Sequence, residues 1–154
     1  MSTRRGGSGG SPRGPRPQLA ADPPVTRPWL WFRSQPGGRS RAEEEFLSLP
    51  AVGQAALAAK IERYRCGQSR RREVDVLGGG ILEIRHREQT VRFRVLFMNW
   101  GRYCVGLTAF CKKEQKTPPV DLERARTRAK RWREAFGPEP DEGHPPSARV
   151  GPRK

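Results

Sequence analysis

Lys112 and Lys113 stand side by side, Lys116 follows three residues on, and Thr117-Pro118-Pro119 breaks the chain before an arginine-rich run. Upstream, "LEIRHREQTVRFRVLF" sets Glu83, Arg85, Arg87, Arg92 and Arg94 at alternate positions around a short break. Side chains of these types suit a phosphodiester. A guanidinium fork matches two phosphate oxygens and stays charged, while a carboxylate or an amine can move a proton. A lysine crowded by other cations has its pKa lowered, because a second positive charge disfavours its protonated form.

Strands must bring these residues together. In "TVRFRVLF", Val91, Phe93, Val95 and Phe97 point one way and can pack on helices, while Arg92 and Arg94 point the other. In "ILEIRHR", Ile84 turns inward and Glu83, Arg85 and Arg87 outward. As neighbours, these strands gather the charges on one sheet face, and the next strand, "RYCVGLTAFC", delivers Lys112 and Lys113 at its end. Alternation separates those two lysines unless the strand has already ended. Like charges across adjacent strands repel, and Glu83 is the only acid evident on the face. So many cations around one acid, converging on a helix start that attracts anions, favour a phosphate site over a merely solvated face.

The remaining elements follow from punctuation and period. "PWLWFR" is a short first strand, and Ser40 with Glu43 forms a capping box that opens a helix. Pro50 starts a second helix with Val52, Ala56, Ile61 and Tyr64 on one face and Gly67 past its end. Residues 68–80 are a polar, glycine-ended connection in which Arg70, Arg71 and Arg72 read as a solvated loop. "NWG" (99–101) turns the chain between two strands. Thr117 and Pro118 serve as N-cap and first residue of a last helix whose Leu122, Ala125, Ala129, Trp132 and Phe136 form one apolar stripe. The order β-α-α-β-β-β-α predicts an α+β fold with the helices on one side of the sheet.

The net charge of +15 points to a polyanionic partner. Residues 1–28 hold five Arg and one Asp, and residues 137–154 three charges of each sign, which leaves +11 for residues 29–136. The two ends are rich in Gly, Pro and Ser with little to bury, and are predicted to be disordered around one domain over 29–136. Cys66, Cys104 and Cys111 have no metal-ligand spacing and read as buried thiols in a reducing cytosol. No stretch is long and apolar enough to cross a membrane, so a soluble cytoplasmic protein is expected.

Leu82-Glu83-Ile84-Arg85, Phe93-Arg94-Val95-Leu96-Phe97 and Phe110-Cys111-Lys112-Lys113-Glu114-Gln115-Lys116-Thr117-Pro118, in that order, resemble the HigB-like, phage-derived branch of the RelE/ParE superfamily of type II toxins. The resemblance covers residues 29 to about 134 and is closest in the second half. It implies a small RelE-like fold, an antiparallel-rich sheet with two N-terminal helices on one face and a C-terminal helix. It also implies an mRNA endoribonuclease acting in the ribosomal decoding site and neutralised by a cognate, HigA-like helix-turn-helix antitoxin.

Such cleavage, by attack of the RNA's own 2′-hydroxyl, needs a base, stabilisation of the phosphorane and neutralisation of the leaving oxygen, and no metal or other cofactor. The base is Glu83 or one of Lys112, Lys113 and Lys116; Arg85 and Arg94 clamp the phosphate. Arg87, Arg92 and Thr117 add RNA contacts. Trp100 and Tyr103, at a turn, either stack on an unpaired base or cap the core. His86 faces the core side and His144 lies in the tail, so neither is favoured as the base. Two other functions fit the same residues: a ParE-like toxin that binds DNA gyrase, and an RNA-binding module without catalysis.

Overall fold

The structure, a computed structural model, describes residues 26–140. Most of both expected disordered ends lies outside that range, but their inner margins are packed. The backbone N–H of Arg27 donates to Arg65 O at 2.9 Å and its guanidinium to Gly101 O at 2.9 Å. At the other end Gly137 O accepts the Trp100 indole N–H at 2.9 Å.

Eight elements follow in order: β1 (Trp29–Trp31), α1 (Arg41–Leu47), α2 (Ala51–Arg65), β2 (Val74–Gly78), β3 (Ile81–Glu88), β4 (Val91–Trp100), β5 (Tyr103–Lys112) and α3 (Pro119–Phe136). The Ser40 hydroxyl accepts from the Glu43 N–H at 3.0 Å, so the expected cap starts α1. In α2 the buried row is Gly53, Leu57 and Ile61 at strict four-residue spacing, and Val52 is exposed, not inward as expected. Gly53 seats the helix on β4, for a Cβ there would run into the Phe93 ring.

The sheet order is β1-β5-β4-β3-β2, antiparallel except for β1, which runs parallel to β5. β2 lies within the segment expected as a connection. Its alternation is short and flanked by arginines and glycines, and pairing with β3, Val74 opposite Ile84 and Asp75 opposite Glu83, defines it more than burial does. The hairpin turn between β4 and β5 falls on Gly101 and Arg102, with Gly101 at φ 60°, so Asn99 and Trp100 are still strand.

The helices occupy both sides of the sheet, not one. Phe93, Val95 and Phe97 of β4 join Leu57 and Ile61 of α2 in one core cluster. Leu96, Met98 and Trp100 join Ala125, Ala129, Trp132 and Phe136 of α3 in another. A strand apolar at both parities over "VLFM" must be covered twice, a feature that attention to the odd positions alone hides. Helix α1 sits beside β5 where β1 has ended. Its Glu45 accepts the Ala109 N–H at 3.2 Å, and Arg128 of α3 donates to Leu107 O at 2.8 Å while pairing with Glu45 at 2.9 Å. The open edge of β5 is thereby closed by side chains.

Candidate functional site

Register places the expected charges together. Arg85 is opposite Arg94, Arg87 opposite Arg92, and Arg92 opposite Lys112 on the next strand. Residues directly opposite share a face, so Glu83, Arg85, Arg87, Arg92, Arg94 and Lys112 lie on the face that α3 covers at its other end. The face also receives Asp75, opposite Glu83, and Asp121 from the first turn of α3. It therefore holds at least three acids among the described residues, and the single-acid expectation is corrected. The missing two come from β2, which was not legible as a strand, and from a helix whose first turn folds back onto the sheet.

Beneath the surface is a pinned loop. Arg94 has no exposed surface and Glu83 only 1%. Arg94 Nη2 donates to Glu114 O at 2.6 Å and to Gln115 O at 2.5 Å, and its Nε lies 3.4 Å from Glu83 Oε2. The Thr117 hydroxyl donates to the same Glu83 oxygen at 2.6 Å, and Arg92 Nη1 donates to Lys113 O at 2.8 Å. Burial lowers the Arg94 pKa below the usual guanidinium value, with Glu83 opposing that shift and Arg85 and Arg92 adding to it.

These contacts change three expected roles. Arg94 is not a surface phosphate clamp: its guanidinium is fully buried, and its Nη2 is spent on two successive carbonyls. Glu83 lies under the loop, where it anchors Arg94 and Thr117. Thr117 turns its hydroxyl to Glu83 instead of capping α3, whose N-cap is Pro118 with the helix beginning at Pro119.

Above this frame, Lys113 and Lys116 are exposed, and neither ammonium has a hydrogen bond or ion pair among the described residues. Lys112 is engaged differently, bonded to Asp121 at 2.8 Å and lying over the Phe110 ring at 5.7 Å. Arg85, 42% exposed, pairs with Asp75 at 2.8 Å and lies 3.6 Å from Glu83, while Arg87 Nε donates to Gln89 O at 2.7 Å. Beside the loop is a pocket of about 300 Å³ lined by Arg72, Arg85, His86, Arg87, Arg92 and Gln115. Arg72 and Gln115 were not expected there. The triple-arginine run was the visible signal for Arg72, which stands at φ 66° in a turn that carries it to the sheet edge. His86 stacks on Phe93 and its Nε2 lies 2.9 Å from Glu88 Oε1.

Trp100 and Tyr103 are not stacking platforms. They are 2% and 7% exposed, packed into the α3 core at the opposite end of β4 from Arg92, and Trp100 meets Trp132 edge-on at 5.4 Å. Among the described residues no group of three or more His, Cys, Asp or Glu side chains could hold a metal ion. No described helix is long and apolar enough to cross a membrane.

Residues 44–130 match the family described as "Phage derived protein Gp49-like". That span takes in β2 to β5 and most of α3, the elements that build the charged face. The chain is 41% identical over 119 residues to "Probable endoribonuclease HigB1" of Mycobacterium tuberculosis strain CDC 1551 / Oshkosh, covering 77% of this chain and 95% of the relative. The protein of the same name from strain ATCC 25618 / H37Rv gives the same identity and coverage.

Proposed function

The chain belongs to the phage-derived Gp49-like family, in its HigB-like form, and from that premise we propose that it is a toxin endoribonuclease that cuts mRNA in the ribosomal decoding site. One observation supports this most: the ammonium groups of Lys113 and Lys116, unpartnered among the described residues, ride on a loop pinned from below and stand beside an arginine-lined pocket.

In this reading Arg85, Arg87 and Arg92 hold the scissile phosphate through the pocket they line. The neighbouring 2′-hydroxyl attacks phosphorus as its proton is removed, and the P–O5′ bond breaks as that oxygen gains a proton. The products carry a 2′,3′-cyclic phosphate and a 5′-hydroxyl. Lys113 and Lys116 divide the two remaining tasks: one, as the neutral amine, takes the hydroxyl proton, and the other, as the ammonium, neutralises the phosphorane and gives a proton to the leaving oxygen. These steps need no metal, because the nucleophile is internal to the RNA and the charge is met by guanidinium and ammonium groups. Pinning matters because a misplacement of about 1 Å in catalytic groups can cost on the order of 10²-fold in rate. A toxin of this kind has a cognate antitoxin, which we take to be a helix-turn-helix protein of the HigA kind, and works in the cytoplasm where its messages are.

Primer extension on an mRNA in a translation mixture, with and without ribosomes, tests the assignment. We expect discrete cuts that require ribosomes and leave cyclic phosphate ends. Intact mRNA with continued translation would point instead to a protein target such as gyrase. Uncut mRNA with stalled translation would leave an RNA-binding module.

A further inference from the structure

A second basic surface lies outside the pocket. An open groove of about 600 Å³ runs between α3 and the start of α1, with Arg41, Arg124, Arg128 and Arg131 along it and Glu123 as the one acid among its lining residues. Phe32 forms part of the floor, but the Arg128 guanidinium lies over that ring at 5.4 Å and is fixed there by Glu45. The aromatic surface is thus covered by a cation and is not offered to an apolar helix, the partner that an amphipathic groove would take. Arg41 and Arg131 are exposed, with no hydrogen bond or ion pair among the described residues.

The groove shares no lining residue with the pocket, but basic side chains bridge the two. Lys112 and Arg124 bond opposite oxygens of Asp121, each at 2.8 Å, so basic side chains follow one another from Arg92 through Lys112 and Arg124 to Arg131. A single RNA strand is a polyanion that does not end at the cut bond, and basic grooves track such backbones for several nucleotides. We propose that the α1–α3 groove holds the sugar–phosphate backbone of the strand being cut, as an extension of the cleavage site with Arg41 and Arg131 as its free phosphate contacts. This rests on the endoribonuclease assignment.

Binding, not cleavage, is the readout that separates the two. Single-stranded RNAs of about 5 and about 15 nucleotides, 2′-O-methylated so that they cannot be cut, are titrated by fluorescence anisotropy with the full chain and with its Arg41→Ala/Arg131→Ala form. Both arginines are exposed, so the substitutions leave the core intact. We expect the short RNA to bind both proteins alike and the long RNA to bind the variant more weakly. Loss of two single-strand contacts lowers the salt slope by about 1.4, so raising salt from about 50 to about 200 mM should weaken the variant about sevenfold less than the wild type. Equal slopes on the long RNA would overturn the inference alone and leave the groove to an acidic protein partner. Equal losses on both lengths would also overturn it, since the arginines would then act as a general field. A wild-type chain that binds neither RNA would overturn the inference alone, because the endoribonuclease assignment stands or falls on cuts in ribosome-bound mRNA.

Discussion

Replacing Arg94 with alanine should act on stability first and on cleavage through stability and loop position. The side chain has no exposed surface, and its removal leaves the Glu114 and Gln115 carbonyls without their donor. It also leaves Glu83, 1% exposed, with only the Thr117 hydroxyl and the half-exposed Arg85 at 3.6 Å. Removing one partner of a buried ion pair costs about 3–5 kcal/mol. For a domain of this size 1 kcal/mol moves the melting temperature by about 4 °C, so a fall of roughly 12–20 °C is expected by circular dichroism. Adding Glu83→Gln should raise the midpoint again, because the amide removes the uncompensated charge. An Arg94→Ala protein that melts within about 3 °C of wild type yet has lost cleavage would refute the positioning role and return Arg94 to the surface as a clamp.

Three further outcomes follow from local geometry. Gly53→Ala should destabilise by about 1–3 kcal/mol in urea, because its Cβ would run into the Phe93 ring and overpacking outweighs the roughly 1 kcal/mol gain in helix propensity; a more stable variant would mean that α2 is not seated there. The hydrogen bond from Arg63 holds the Glu73 carboxyl down at about 2, from an ordinary 4.5. A depressed carboxylate contributes stability above its unfolded pKa and loses it as pH falls through the folded one. Acid unfolding of the wild type should therefore steepen between about pH 4.5 and 2, and Glu73→Gln should flatten that limb; parallel profiles would contradict the pairing. Burial pushes the Cys104 thiol up to about 11, whereas Cys66 and Cys111 are partly exposed. A thiol reagent near pH 8 should titrate two cysteines in the native protein and the third only on unfolding; three fast equivalents would show that β5 is open.

Strand alternation carried much of the charged face. Glu83, Arg85, Arg87, Arg92 and Arg94 fall on one side because a period of two does not depend on what packs against it. Depth was not legible: Arg92 and Arg94 are equivalent in pattern, yet one reaches the pocket and the other is sealed by the 113–117 loop, whose path no periodicity sets. Thr117 looked like a cap because Thr-Pro usually is one, and the tertiary demand of the buried Glu83 carboxylate overrode that local preference. β2 was hidden because edge pairing requires little burial, and the placement of α3 opposite α2 was hidden in the even positions of β4. Trp100 and Tyr103 flank a turn in sequence, but α3 folds over them.

The central claim is that Lys113 and Lys116 carry the chemistry while Arg94 and Glu83 hold their loop. Its most direct test is the single-turnover cleavage rate of Lys113→Ala and Lys116→Ala on ribosome-bound mRNA, with melting temperature measured alongside. Both side chains are exposed, so melting should stay near wild type while each variant loses on the order of 10²–10⁴ in rate. Near-wild-type rates for both, in folded protein, would contradict the claim and move catalysis to the arginines of the pocket.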